Sequence, residues 1–374
     1  MKKNIILLFF SIIFSLFLIY LTVFTWVYVS QKYIDPNNFS NIDNLNFHEK
    51  YSNQTHHLRG NNWPYHKKNL LINKEDYLFS TISNFKKNHD NYLIQGDSWA
   101  EHMVFKDKLN ETLKKTAKDK KIGLINAGIS SFSPSPMKIQ YRILEREYEI
   151  KPDFLISIID QTDIGDELCR YKNNIVENVD GTVKQIRRES DTGAVMDFSK
   201  YYFFSRSLLE KKSFINYHIT NYYISRGFNI IKIRFINLIK NGLRNSGSYN
   251  CKFQNIQKYL YSLKKEDEKY FKKRTQEYLD YLSSKAYLKK IFVVTFPHKN
   301  HLDGNYEINV SDIINELILS KKVIHIDFTE IIGNKEFASN NIYHPDDPAS
   351  HLNEETHILF VKKIFELIDL EIKN

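Results

Sequence analysis

Gly96-Asp97-Ser98-Trp99 is the stretch from which the fold is read. It follows the short apolar run Tyr92-Leu93-Ile94 and precedes a stretch of helical character beginning at Ala100. A serine at a strand-to-helix turn holds its hydroxyl in the open at the carboxyl end of a strand, where α/β sheets place their sites. Its own N–H, at the start of the helix, faces any oxyanion that develops there.

Outward from this turn, short apolar runs alternate with amphipathic segments. The pattern predicts strands over 91–96, 121–126, 153–159, 290–296 and 322–327. Helices are expected at about 99–118, 136–149, 310–320 and 354–370. Continuous apolar strands separated by helices argue for a parallel sheet covered on both faces. With right-handed crossovers, this gives a three-layer, flavodoxin-like, doubly wound α/β domain. About 130 residues separate the third strand from the fourth, far more than one crossover needs. The predicted insertion covers about 170–288 and is mainly helical. Within it, Phe228, Ile231, Phe235, Leu238 and Ile239 share one face of a helix, with Asn229, Asn237, Lys240 and Arg244 on the other. An ordinary helix packed on the core is the simpler account; a membrane-surface or capping helix is the alternative.

The first thirty residues are a different material. Lys2 and Lys3 precede a run from Asn4 to Gln31 without a charged residue. That run suffices for a tilted bilayer-spanning helix, with Trp26, Tyr28 and Tyr33 near its outer end. It lacks the short apolar region and small-residue cleavage site of a signal peptide. The expected organisation is a transmembrane anchor over 1–31, a linker over 32–75, and one globular domain over 76–374. The lysine pair places the N-terminus in the cytoplasm and the domain on the periplasmic or extracellular side. The formal charge of +9 then suits anionic headgroups or acidic glycans rather than nucleic acid, and equally suits plain lysine-rich usage. Cys169 and Cys251 are the two cysteines; spacing alone does not pair them. No Cys/His cluster has zinc-site spacing.

Three later segments stand where chemistry would need them. Asn126-Ala127-Gly128-Ile129-Ser130-Ser131 follows the second strand, and a glycine there lets backbone and its N–H approach a ligand. Asp160-Gln161-Thr162-Asp163 follows the third, where an amide or hydroxyl would add an oxyanion donor. Its carboxylates, with Asp166 and Glu167, read as solvated loop groups, since nothing in the sequence makes them converge on a metal. Asp346-Asp347-Pro348-Ala349-Ser350-His351-Leu352-Asn353 precedes the last helix. Asn353 is a good helix N-cap, which leaves His351 on the loop, free to act as a base; His344 and His357 are the rival histidines.

Together the four segments resemble the SGNH/GDSL hydrolase superfamily, over about 90–168 and 288–370. The resemblance implies a Ser98 nucleophile, a His351 base and an oxyanion hole that includes the N–H groups of Ser98 and Gly128. Two departures from the family pattern stand out. Thr162 occupies the place of the family's oxyanion asparagine, so Thr162 or Gln161 would have to help. The acid usually stands three residues before the histidine, where this chain has Pro348; Asp347, four before, is the expected acid, with Asp346 behind it. The phrase from Gly128 to Ser135, with Ile159 to Ile164, is similar to a membrane-anchored branch whose relatives act on cell-envelope glycans. The implied activity is ester hydrolysis or O-acyl transfer on a glycan-linked acyl group, requiring neither metal nor organic cofactor. The alternatives are an idle domain of this fold that binds glycan or scaffolds an assembly, and a lipase-like esterase at the membrane surface.

Overall fold

Apolar runs buried on both faces form the sheet. The computed structural model describes residues 11, 14–25, 78–187, 259–299, 308–318, 320–332, 342–344 and 351–373. The first strand, β1 (Ser80–Ser83), is an edge strand that the sequence pattern does not predict. The five expected strands follow as β2 (Asn91–Gln95), β3 (Gly123–Asn126), β4 (Phe154–Ile158), β7 (Lys290–Thr295) and β8 (Val323–Asp327). The sheet order is β1-β3-β2-β4-β7-β8, all parallel except β1, which pairs antiparallel with β3. Numbered among themselves, the parallel strands run 2-1-3-4-5, the doubly wound order with its switch point between β2 and β4.

The helices are α1 (Ser98–Phe105), α2 (Asp107–Lys120), α3 (Pro134–Glu147), α4 (Gln161–Asp166), α5 (Lys265–Ser283), α6 (Val310–Leu317), α7 (Phe328–Ile332) and α8 (Glu354–Lys373). The single helix expected over 99–118 breaks at Lys106, whose backbone is extended. There Asn110 Nδ2 donates to the Val104 carbonyl at 2.8 Å, occupying an oxygen that the broken ladder releases.

The two faces of the sheet are built differently. On one, Tyr92, Ile94, Phe154, Ile156, Phe292 and Val294 pack against Leu109 and Leu113 of α2 and Phe360, Ile364 and Phe365 of α8. On the other, buried polar groups are matched to one another. Gln95 Nε2 donates to Gln140 Oε1 at 2.7 Å, and Tyr278 OH donates to Gln95 Oε1 at 3.0 Å while also bonding Ser157 at 3.1 Å. Each such group would cost a few kcal/mol if left unpaired. They join β2 and β4 to α3 and α5.

Helix α5 is the crossover into β7 and packs on α3. The described part of the stretch expected to be mainly helical also holds a hairpin, β5 (Ile175–Glu177) with β6 (Val183–Ile186). The buried Arg274 of α5 holds it, pairing with Glu177 and donating to the Gly181 carbonyl. Cys169 is disulfide-bonded. Cys251, the linker and the 228–244 amphipathic segment lie outside the described residues.

Residues 14–25 are helical and belong to a separate compact unit; Phe14, Leu16, Phe17, Leu18, Ile19 and Leu21 are exposed. Among the described residues, no helix is long and apolar enough to cross a membrane. Most of the expected anchor lies outside them.

His357, one turn into α8, is buried beside Trp99. Burial, then the nearby charges of His102, Lys106 and His351, push it down to about 3 from 6.5. A base depressed in this way is neutral when folded and charges on unfolding. Its contribution is complete above pH 6.5 and is lost as pH falls toward 3. Unfolding free energies measured across that window are expected to fall by up to about 1.4 kcal/mol per pH unit more steeply for the wild type than for His357→Phe.

Candidate active site

Ser98 is the first residue of α1, directly past the carboxyl end of β2 at the switch point. Asp97 caps the helix, its Oδ1 accepting the Trp99 N–H at 2.9 Å. Gly96 is required by space: a Cβ there would stand 2.8 Å from the Ile158 carbonyl oxygen on the neighbouring strand. Trp99 anchors the turn, its ring 5.0 Å from that of Phe296. The geometry leaves Ser98 half-buried.

His351 arrives from the far end of the chain. Its Nε2 lies 2.6 Å from Ser98 Oγ, across 253 residues of sequence. The loop is held by a bridge between Tyr343 and Leu352 and by the His344 N–H donating to the His351 carbonyl at 2.8 Å. Asn353 caps α8, its Oδ1 accepting the Thr356 N–H at 2.8 Å. Of the rival histidines, His344 is exposed and His357 is sealed in the core. His102, which the sequence reading passed over, stands one helical turn beyond Ser98, with its ring 4.7 Å from that of His351. Its i, i+4 spacing from Ser98 is the signal that finds it. Asp347 and Asp346 lie outside the described residues.

Gly128 has a steric reason, and its N–H, expected to face an oxyanion, is engaged with Asn126. A Cβ there would stand 2.4 Å from Ala100 Cβ and 2.5 Å from the Glu101 nitrogen, so only glycine lets the loop after β3 lie against α1. Its N–H donates to Asn126 Oδ1 at 2.9 Å, and Asn126 Nδ2 donates to the Ala100 carbonyl at 2.9 Å. Beside it, Ser130 donates to Glu101 of α1.

The segment after β4 departs from expectation. Gln161 Nε2 donates to the Ile308 carbonyl at 2.7 Å and its Oε1 accepts the Val310 N–H at 3.0 Å, so the amide ties down the start of α6. Thr162 Oγ1 donates to Asp160 Oδ1 at 2.6 Å. Both side chains, expected as oxyanion donors, are engaged with these partners. The carboxylates expected in solvent are instead buried: Asp160, Asp163, Asp166 and Glu167 all lie inside. The reason is local. Asp160 and Asp163 form a capping box on α4, and Glu167 accepts from Ser133 and Ser135 at the start of α3. Arg170 pairs with Asp166 at 3.1 Å.

Asp97, Asp160 and Asp163 each bring one oxygen within 4.8 Å of the others. Burial, with repulsion from Asp160 and Asp166, pushes Asp97 well above the ordinary carboxylate range. Burial and the charge of Asp97 do the same to Asp163. Asp160 is raised by burial, with the Thr162 hydroxyl and the charge of His351 pulling it back. Burial takes Asp166 up to about 6 against the pull of Arg170.

No family model matches the chain, and no curated protein does. Among solved structures it is similar to a catalytic mutant of an acetylxylan esterase from Geobacillus stearothermophilus. The likeness has 10% sequence identity and a TM-score of 0.35, over 74% of this chain and 93% of that one. At that level it carries no chemistry, and the reading of the site rests on the contacts described.

Gly128→Ala is expected to destabilise the protein by about 1–3 kcal/mol, because the methyl group has nowhere to go but into Ala100. A lower urea midpoint with an unchanged slope would show it.

Proposed function

We propose that the chain is a serine-dependent acyl-transfer enzyme of SGNH/GDSL type. The contact between Ser98 Oγ and His351 Nε2, 2.6 Å long and joining opposite ends of the domain, carries the reading. Those two atoms meet at the carboxyl edge of a parallel sheet, at its switch point.

In this reading Ser98 Oγ attacks an ester carbonyl while His351 Nε2 takes the hydroxyl proton. The tetrahedral oxyanion forms near the Ser98 N–H, at the start of α1, with the loop at Gly128 alongside. Collapse returns the proton from His351 to the leaving alcohol and leaves an acyl-Ser98. A second acceptor, activated by the same histidine, then releases the acyl group. Water as acceptor makes an esterase; a sugar hydroxyl makes an O-acyltransferase. Asp347 is the proposed acid behind the imidazole. The chemistry needs neither metal nor organic cofactor.

The proposed substrate is an acylated glycan of the cell envelope. Two observations support an extracytoplasmic site: Cys169 is disulfide-bonded, and the apolar residues of 14–25 are exposed, as a membrane anchor would require. Against a fully equipped enzyme stand the engaged side chains of Gln161 and Thr162. They favour, as second reading, an idle domain that binds glycan.

Labelling by a fluorophosphonate probe separates the two. The wild type is expected to be modified at Ser98, Ser98→Ala to lose the modification altogether, and His351→Ala to lose on the order of 10⁴-fold in labelling rate. A folded wild-type chain that resists the probe would support the binder.

A further inference from the structure

The Ser98 hydroxyl has one hydrogen and two close partners. His351 Nε2 lies 2.6 Å from Oγ, and Asp97 Oδ2 lies 3.1 Å from it. A histidine acting as base takes the hydroxyl hydrogen at Nε2. An ionised Asp97 would then face the lone pairs of Oγ with nothing between them, a repulsive contact. The other oxygen of Asp97 is already engaged, accepting the Trp99 N–H at 2.9 Å. A hydrogen on Asp97 therefore belongs on Oδ2, pointing at Ser98.

A second observation calls for a hydrogen among the carboxylates at this place. Asp97, Asp160 and Asp163 are all buried, with one oxygen of each within 4.8 Å of the others. Asp160 Oδ2 and Asp163 Oδ1 have no hydrogen-bond partner among the described residues. Among the described residues, the facing groups are Asp166, whose charge is met by Arg170, and His351 from the loop before α8, with His102 of α1 beside it. Three carboxylates so close and out of water do not all stay ionised. Asp160 is the member best suited to keep its charge. Its Oδ1 accepts the Thr162 N–H and Oγ–H, both at 2.6 Å, and the Asp163 N–H at 3.3 Å. A divalent cation is the other way to neutralise the trio, but the capping box already accounts for the meeting of Asp160 and Asp163. Such an ion also wants six or more oxygen ligands.

We propose that Asp97 is a neutral carboxylic acid that donates from Oδ2 to Ser98 Oγ, a positioning residue that turns the Ser98 hydroxyl toward His351. The proposal rests on Ser98 being the nucleophile. During attack the Oγ–H bond breaks, the His351 N–H bond and the Oγ–acyl bond form, and the Asp97 proton stays on its carboxyl. Two acceptors are thus served by two hydrogens, and the hydroxyl is not drawn away from its base.

The test uses the full-length chain and two variants that keep the helix cap, Asp97→Asn and Asp97→Ser. An asparagine accepts from Trp99 through its oxygen and donates to Ser98 through its amide. It is expected to label with fluorophosphonate about threefold more slowly at pH 7, whereas Asp97→Ser, which lacks the reach, slows about thirtyfold or more. The wild-type rate is expected to fall at alkaline pH as the acid loses its proton, and that fall is absent from Asp97→Asn. An infrared difference spectrum, wild type minus Asp97→Asn at pH 7, is expected to show a protonated carboxyl band. A hundredfold loss in Asp97→Asn with an unchanged melting temperature, or the absence of that band, overturns the proposal. So does a labelling rate that EDTA abolishes and a divalent cation restores. A band present in a chain that never labels would sustain the proton on Asp97 and defeat the nucleophile reading instead.

Discussion

The parallel pairing of β2 with β4 is the interaction on which the site depends. Tyr92 to Gln95 lie level with Phe154 to Ser157, and the two chains then leave the sheet side by side. Each enters a helix, and each helix begins with an aspartate cap, Asp97 on one and Asp160 on the other. Strand register thus sets how near two carboxylates approach, before any substrate is considered. Gly96 permits the approach, since any side chain there would strike Ile158. Slipping the register by one residue would turn every buried side chain of β2 to the wrong face and would part the caps.

The same pairing carries the energetic asymmetry of the domain. One face of the sheet is an apolar core, tolerant of small changes in shape. The other is a matched polar network through Gln95, Gln140, Ser157 and Tyr278. Such a network gains little over solvation when complete and loses heavily when one member is removed. It holds α3 and α5 in one position and so steadies the ends of β2 and β4. Stability has been set aside at their tips, where buried carboxylates sit next to a hydroxyl.

A serine is a poor nucleophile until a base and a dipole are aimed at it. In the proposed site His351 comes on a loop pinned by the Tyr343–Leu352 bridge, and Ser98 stands at the start of α1. The loop after β3 lies directly on α1 because Gly128 has no side chain. Each part is positioned by backbone that has its own structural reason to be there, and this is how a hydroxyl and an imidazole meet without flexible side chains reaching for each other.

Continuous apolar runs and the intervals between them determined the five strands, the doubly wound class and the place of Ser98. Those depend on local periodicity and on the handedness of crossovers, and both are written along the chain. The edge strand at 80–83 is too short and too polar to announce itself, and it exists because β3 offers a free edge. The break at Lys106 was likewise not legible; there Asn110 takes the freed Val104 carbonyl. Within the site, the sequence singled out Ser98 and His351, whose residue types stand at the right ends of the right segments. It could not show that Gln161 would be drawn to the start of α6, Thr162 to Asp160, or His102 to the side of His351. It read the carboxylates after β4 as solvated, because a polar run after a strand usually is. Only the tertiary structure decided that they are buried, since burial depends on what packs on a segment, and the serines at the start of α3 that meet Glu167 come from elsewhere in the chain. A side chain's partner across the fold is a property of three-dimensional distance, and composition and spacing do not encode it.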